Sequence, residues 1–369
     1  MTRSHAAGLV VALLAAMPPA DLLAGDGQRG RGPGGGRVDP PSNYAIVGHV
    51  GDPAKRPVAD AFVTALLPTY KKDPPFTLFS ARVHTTTDAH GNFRLEGLYP
   101  ADFYVVVLPH NPPLDKGGRP TRDGYANTFY PSALNTASAK LVRVTTGVTA
   151  VAEITVRPAR LSTVSGVVVS SKGQSVRGGI LNLAHGDRLF GLDTRAVEIG
   201  TTGEFTATGL QPGTYFFQYH ESQYPPMRGE VPTVSQAKVV VRDADVANVR
   251  VTPIRLVIAS GRVIVAPEDR DELFYRSIGI GTTPVNLDGN PGPERPGSVR
   301  EDLSFDLGAW PGPHVIRLEG QPPDWYVKTV RLRGVTMPNQ TVDFQAGKAI
   351  IGLEVELAKR RAPRGTGGQ

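Results

Sequence analysis

Apolar and polar residues alternate with a period of two along most of this 369-residue chain. Ile154 and Val156 alternate with Thr155 and Arg157, Val249 and Val251 with Arg250 and Thr252, and Leu353, Val355 and Leu357 with Glu354 and Glu356. One face then lies on a core and the other in water, which is the pattern of a half-buried strand. Val167-Val-Val169, Val239-Val-Val241 and Tyr104-Val-Val-Val-Leu108 are continuous and β-branched, and predict central sandwich strands. Helical signals are scarce, because 42 Gly and 33 Pro interrupt most windows longer than about ten residues. That level is too low for wholesale disorder and suits many turns. Asp88-Ala-His-Gly91 and Thr201-Thr-Gly203 predict hairpin turns with a glycine available for positive φ. Leu98-Tyr-Pro100 and Leu210-Gln-Pro-Gly213 predict corners before the next strand, where proline breaks no ladder bond.

The pattern repeats. Thr155-Val-Arg-Pro-Ala-Arg-Leu-Ser-Thr-Val-Ser-Gly166 returns as Arg250-Val-Thr-Pro-Ile-Arg-Leu-Val-Ile-Ala-Ser-Gly261, offset by 95 residues at every matched position. A second landmark occurs three times: Phe93 to Pro100, Phe205 to Pro212 and Phe305 to Pro311, with spacings of 7, 7 and 6. Each lies 39 to 45 residues after a glycine landmark, Gly48, Gly166 or Gly261. Two landmarks in fixed order, three times over, predict an array of similar units. The expected fold is all-β: three tandem antiparallel Greek-key β-sandwich domains of the Ig-like or transthyretin-like kind. They are placed at 44–158, 159–253 and 254–358, each near the common domain size. The joints Pro158-Ala-Arg-Leu161 and Pro253-Ile-Arg-Leu256 leave no floppy tether, which predicts a fairly stiff rod. Two insertions stand out, Pro109 to Asn127 and Thr283 to Pro296, and long loops on a rigid sandwich are where binding is built.

The two ends read differently. Arg3 followed by the 12-residue apolar run Ala6–Met17, with small residues Ala20 and Ala24 behind it, predicts a cleaved signal peptide at 1–24. A buried helix or a membrane anchor is the alternative, but the run is short for a bilayer span. Residues 25–43 are Gly-, Pro- and Arg-rich and predict a disordered linker. The expected location is periplasmic or secreted, with no transmembrane segment in the mature chain. The chain has no cysteine, so no disulfide holds any unit together. Of the net charge of +6, the tail 359–369 carries +4 through Lys359, Arg360, Arg361 and Arg364. The body 44–358 is then near neutral, which argues against a nucleic-acid binder, since such a protein places its cations on a folded face. The tail is expected to be disordered and solvated, or loosely attracted to an acidic envelope surface.

Chemistry is hard to find. There is no His-Glu-x-x-His, no Gly-x-Ser-x-Gly and no phosphate loop. His84 and His90 flank Asp88, but a strand and a turn account for them, and Asp88-Ala-His-Gly-Asn92 lacks the bidentate Glu of a calcium loop. His220-Glu-Ser222 has no assignable partner, and the single triplet Asn339-Gln-Thr341 is close to a chance sequon. No catalytic residue, metal or cofactor is expected. Aromatic residues near polar ones are the better binding candidates: Tyr125, Phe129 and Tyr130 beside Asp123 and Asn127, and Trp325 and Tyr326 beside Asp324. Trp310 occupies the corner where the other units have Tyr99 or Gln211. The competing account is that these rings fill cores and seams between units.

Val47-Gly48-His-Val50, Pro57-Val-Ala-Asp-Ala61 and Thr87-Asp88 through Tyr104-Val105 together resemble the carboxypeptidase regulatory-like domain, a transthyretin-like sandwich also grouped with carbohydrate-binding-like folds. The match is good in the first unit, fair in the second and weaker in the third, where Asp302-Leu-Ser-Phe305 lacks the turn glycine. The resemblance implies a folding, spacing or binding role and no catalysis. The expected function is an exported, non-enzymatic structural or protein-interaction module at the cell envelope. The alternative is a carbohydrate-binding protein that uses exposed aromatics on its insertions. Its partner would be an envelope protein or a polysaccharide.

Overall fold

The computed structural model describes residues 44–360 apart from 72–75, 112–114, 187–193, 222–232, 287–288 and 321–323. The expected signal peptide 1–24, the linker 25–43 and all of the tail beyond Arg360 lie outside the described residues. Regular structure among the described residues is strand throughout, save three single 3-10 turns at Pro267–Asp269, Tyr275–Ser277 and Pro338–Gln340. The all-β sandwich expected from the alternating pattern is what the chain forms.

One three-stranded arrangement occurs three times. In the first repeat an opening strand, Ile46–Gly51, lies between a turn strand, Asn92–Leu95, and a closing strand, Ala150–Thr155. In the second the same roles fall to Ser162–Val168, Glu204–Leu210 and Val246–Ile254. In the third they fall to Val257–Ile264, Ser304–Ala309 and Ile350–Lys359. Each opening strand is antiparallel to its turn strand and parallel to its closing strand. Each sandwich is therefore antiparallel except for one parallel pair, a refinement of the expected topology. A parallel pair needs a long crossover, and here the whole second sheet is the crossover.

Register explains the sequence landmarks. Gly48 pairs with Phe93 on one side and Ala152 on the other, Gly166 with Phe205 and Val249, and Gly261 with Phe305 and Leu353. The two landmarks are thus cross-strand partners. A Cβ at Gly48, Gly166 or Gly261 would lie 2.0, 1.9 or 2.2 Å from the carbonyl oxygen of Ala152, Val249 or Leu353. Side-chain hydrogen is the only substituent that fits, and at Gly48 and Gly261 the ring of Phe93 or Phe305 would also lie 2.8 Å from such a Cβ. Phe93, Phe205 and Phe305 belong to three separate apolar clusters.

The larger sheets face these cores. In the first repeat the order is Phe76–Thr86, Phe62–Lys71, Ala101–Leu108, Thr128–Phe129, with Val142–Val144 also paired to Ala101–Leu108. In the second, Thr194–Ile199, Gly179–His185, Gly213–His220 and Val234–Val241 follow one another, and the last joins the closing strand through Val234↔Ile254. In the third, the order is Gly297–Ser298, Gly279–Pro284, Gly312–Glu319, Thr341–Phe344. A hairpin of Trp325–Leu332 and Val335–Thr336 adds to its closing strand. The run Val239-Val-Val241 departs from the continuous burial expected of a central strand. Val239 and Val241 are buried but Val240 is exposed, because this strand has water on its outer face.

The missing turn glycine of the third repeat has a structural counterpart. Gly91 and Gly203 sit at φ 78° and 90°, and Leu303 holds the same left-handed conformation at φ 66°. For a residue with a Cβ that costs about 1–2 kcal/mol. Leu303 is buried in the third core, and burial of a leucine side chain offsets this by about 1.5–3 kcal/mol.

Candidate functional site

The aromatic candidates do not meet in one cleft. Trp325 is buried in the third core, and Phe129 is buried with Leu66, Val106 and Ala133 on the outer side of the first repeat's larger sheet. Tyr125 and Tyr130 are half-buried against the first core. Tyr125 donates its hydroxyl to Asp52 Oδ2 at 3.2 Å, and burial and that contact push its own pKa up. Tyr326 is exposed, with the Arg360 guanidinium 5.7 Å from its ring centroid. Trp310 is buried and donates Nε1–H to Gly292 O at 3.1 Å.

The polar candidates are engaged locally. His84 stacks on Phe62 at 5.1 Å. Asp88 accepts the backbone N–H groups of His90 and Asn92, both at 2.8 Å, so its carboxylate closes its own turn. Those bonds hold its pKa below the usual value. Burial lowers the pKa of His220 at the end of the strand Gly213–His220. Among the described residues no three His, Asp or Glu side chains gather closely enough to hold a metal ion.

Both insertions are built into the places where one repeat meets the next. The first ends in a strand, Asp123–Ala126, which pairs antiparallel with Arg157–Arg160, so that Tyr125 faces Pro158. Asn111 brackets Tyr125, donating Nδ2–H to its carbonyl at 2.7 Å and accepting its N–H at 3.0 Å. Three contacts then reach the second repeat. Leu161 N–H donates to Arg122 O at 2.7 Å, Asn127 N–H donates to Gln211 Oε1 at 2.6 Å, and Arg122 forms a two-pronged ion pair with Asp245. Asp245 also accepts Thr163 N–H at 2.7 Å. The Arg122 hydrogen bonds and this N–H lower the Asp245 pKa to about 2. A cavity of about 260 Å³ beside these contacts is lined by His110, Asn111, Asn127, Arg195 and Gln211.

The second insertion reaches back to the second repeat with a single turn. The carbonyl of Gly289 accepts Nε2–H from Gln218 at 2.8 Å and from Gln236 at 2.5 Å. Gly289 sits at φ 68°, and a Cβ there would lie 2.0 Å from Cδ1 of Phe216. Farther along the insertion, Glu294 Oε1 accepts Trp310 N–H at 3.0 Å and lies 2.7 Å from His314 Nε2, while Oε2 accepts the Thr282 hydroxyl. His314 is buried, its Nδ1 is 2.9 Å from Gly312 O, and its ring meets Phe344 edge-on at 5.3 Å. Burial pushes the Glu294 carboxyl up, but the close approach of His314 and the hydrogen bonds from the Thr282 hydroxyl and Trp310 N–H outweigh it and hold the pKa below its usual 4.5. A cavity of about 320 Å³ lies between Phe216, Lys238, Ile254, Trp310 and Pro313.

Sequence reasoning placed both insertions but gave none of these partners. Arg122 and Asp245 are 123 positions apart, and Gln218 and Gly289 are 71 apart. The one usable signal was Glu294 itself, an acid in the proline-rich run Pro291-Gly-Pro-Glu-Arg-Pro296.

No family model matches this chain, and no curated protein matches it. Among solved structures it is similar to a streptococcal ancillary pilin, at 12% identity over 86% of this chain and 99% of that one, with a TM-score of 0.25. The Bacillus anthracis TIE protein is 12% identical over 85% of this chain, with a TM-score of 0.21, and this chain spans half its length. A DUF3823 family protein from Parabacteroides merdae is 18% identical over 43% of this chain and 90% of that one, with a TM-score of 0.20.

Proposed function

We propose that this chain is an exported, non-enzymatic structural or protein-interaction module of the cell envelope, made of three sandwich lobes clamped to one another. The lobes proposed are 44–158, 159–253 and 254–358, and the pairing of Arg157–Arg160 with the first insertion favours carrying the first lobe on to Arg160. The observation that carries the reading is the use of the two insertions. Loops that were open to ligand binding instead hold neighbouring repeats, through Arg122 and Asn127 at one junction and Gly289 at the other. The resemblance to the carboxypeptidase regulatory-like domain, an appendage without a reaction centre, points the same way. So does the burial of Trp325 and Phe129, which leaves Tyr326 as the exposed member of the candidate set.

Two measurements test this. Clamped lobes unfold together, so the mature chain is expected to show one calorimetric transition, with equal calorimetric and van't Hoff enthalpies. Three independent transitions would refute the clamp. A glycan array read by tryptophan quenching is expected to give no saturable signal. Saturable quenching by a polysaccharide would transfer the assignment to the carbohydrate-binding reading.

A further inference from the structure

The closing strand of each repeat has an outer edge, and the three edges are treated differently. In the third repeat Ile350–Lys359 is covered by an antiparallel strand, Trp325–Leu332, from Leu332↔Leu353 to Trp325↔Lys359. In the second, Val246–Ile254 is bulged: its register against the opening strand slips between Val164 and Gly166, and Asn248 stands at φ 61°. Its far end, from Thr252 to Ile254, is covered by Val234–Val241. Covering and bulging are the usual ways in which an edge is kept from pairing with other chains.

The first repeat has no bulge and is covered only at its far end, where Pro131 O accepts Thr155 N–H and Ser132 Oγ donates to Thr155 O. Ala150–Thr155 runs parallel to Ile46–Gly51 through six unbroken pairs and lies at the end of its sheet. Ala150 N–H and Val156 N–H turn inward to Ala45 O and Gly51 O, so the odd-numbered residues between them turn outward. Thr155 N–H is taken by Pro131 O at 2.9 Å. No strand pairs with Val151 or Glu153 on this outer side among the described residues, and both are exposed, Val151 by 61% and the Glu153 side chain by 68%, with Glu153 Oε2 3.9 Å from Nδ1 of its cross-strand neighbour His49. The stretch Thr149 to Thr155 contains no Lys, Pro or Gly to blunt it.

We propose that this edge is a docking site for an antiparallel strand of a partner protein that carries a Lys or Arg opposite Glu153. The third repeat supplies the template. Glu153 pairs with the residue after Gly48, and Glu354 pairs with the residue after Gly261, so the two carboxylates occupy one position of the repeat. Opposite Glu354 in the covering strand stands Arg331. The same strand's Lys328 and Arg331 bind Glu356 at 2.7 and 3.1 Å. A basic strand is therefore what this fold seats on the corresponding edge of the third repeat, with its ion pairs at Glu356, two positions beyond Glu354, where the first repeat has Thr155. A second copy pairing through its own Thr149–Thr155 would bring no cation to Glu153. Backbone bonds to Val151 and Glu153 give such a strand its affinity, and the charge at Glu153 gives it register.

This inference rests on the interaction-module reading, but its failure would leave the clamped junctions and their single transition untouched. The test uses the mature full chain and a labelled ten-residue peptide with the sequence of residues 324–333, followed by fluorescence anisotropy. Saturable binding is expected, weakened about tenfold by Glu153→Lys and more by Val151→Pro, which removes an outward N–H. Glu153 is exposed, so Glu153→Lys decides the matter even if Val151→Pro disturbs the repeat. No binding, equal binding by both variants, or equal binding of a scrambled peptide would overturn the proposal. So would a concentration-dependent dimer that Val151→Pro dissolves, which would assign the edge to a second copy.

Discussion

At the first junction the insertion contributes a strand and a surface ion pair; at the second it contributes one carbonyl and a buried carboxylate. The first is held by backbone pairing over Asp123–Ala126 and by Arg122 and Asp245, whose side chains are 40% and 45% exposed. The second is held by Gly289 O between two glutamines, on a loop fixed from below by Glu294, whose side chain is 12% exposed and lies against a buried histidine. Exposed charges are screened by water and salt, whereas buried ones are screened far less. The same task, joining consecutive sandwiches, is thus done once by a strand with an exposed ion pair and once by two amide-to-carbonyl hydrogen bonds from a loop that Glu294 fixes within the third repeat. Single substitutions should consequently cost more at the second junction than at the first.

The largest effect is expected from Gly289→Ala. A Cβ would sit 2.0 Å from the Phe216 ring, on a backbone at φ 68° that a residue with a Cβ resists. Overpacking of this kind costs about 1–3 kcal/mol and the left-handed backbone about 1–2 kcal/mol more. The turn should leave the second repeat, and the single calorimetric transition should split. A variant that unfolds as wild type would show that the turn does not carry the junction. Glu294→Gln comes next, at about 2 kcal/mol, since it removes a charged acceptor from two buried donors. It should also change the pH response. The folded pKa of Glu294 is lowered, so its contribution is present above 4.5 and is lost as pH falls through the folded value. The stability gap between wild type and Glu294→Gln should narrow over that window, as read by urea midpoints between pH 6 and 3.

The contrast also marks what the sequence could reveal. Period-two alternation located the strands because burial follows it residue by residue: Ile154 and Val156 are buried while Thr155 and Arg157 are exposed. The landmarks Gly48 and Phe93 were visible as a spacing, but their meaning as a cross-strand pair needed the register, which depends on contacts 45 residues apart. The third repeat looked degenerate because Leu303 replaces glycine, yet its backbone keeps the same left-handed turn, since the core rewards the leucine side chain locally. The parallel closing strands left no mark at all, for alternation is blind to strand direction. Nor did the junctions, because a glutamine that donates to a distant glycine carbonyl has no pattern of its own. Aromatic residues beside acids suggested ligand contacts at Trp325 and Tyr125, but a ring packed on a core beside a polar neighbour reads the same in one dimension.

The smallest effect is expected from Asp245→Asn at the first junction, and it separates the two mechanisms most cleanly. Lowering the Asp245 pKa from 3.8 to about 2 corresponds nominally to about 2.5 kcal/mol. Because the side chain is 45% exposed, solvent screening reduces this to about 1 kcal/mol or less. The sign follows from a depressed carboxylate: the contribution is complete above pH 3.8 and disappears as pH falls through about 2. It should also fade with salt, since the Debye length shrinks from about 10 Å at 0.1 M to about 3 Å at 1 M. Stability of wild type and Asp245→Asn should therefore converge at 1 M NaCl, while the gap between wild type and Glu294→Gln persists. Equal salt dependence of the two gaps would mean that Glu294, which fixes the loop at the second junction, is screened as fully as Asp245, and the distinction between the two sites would be lost.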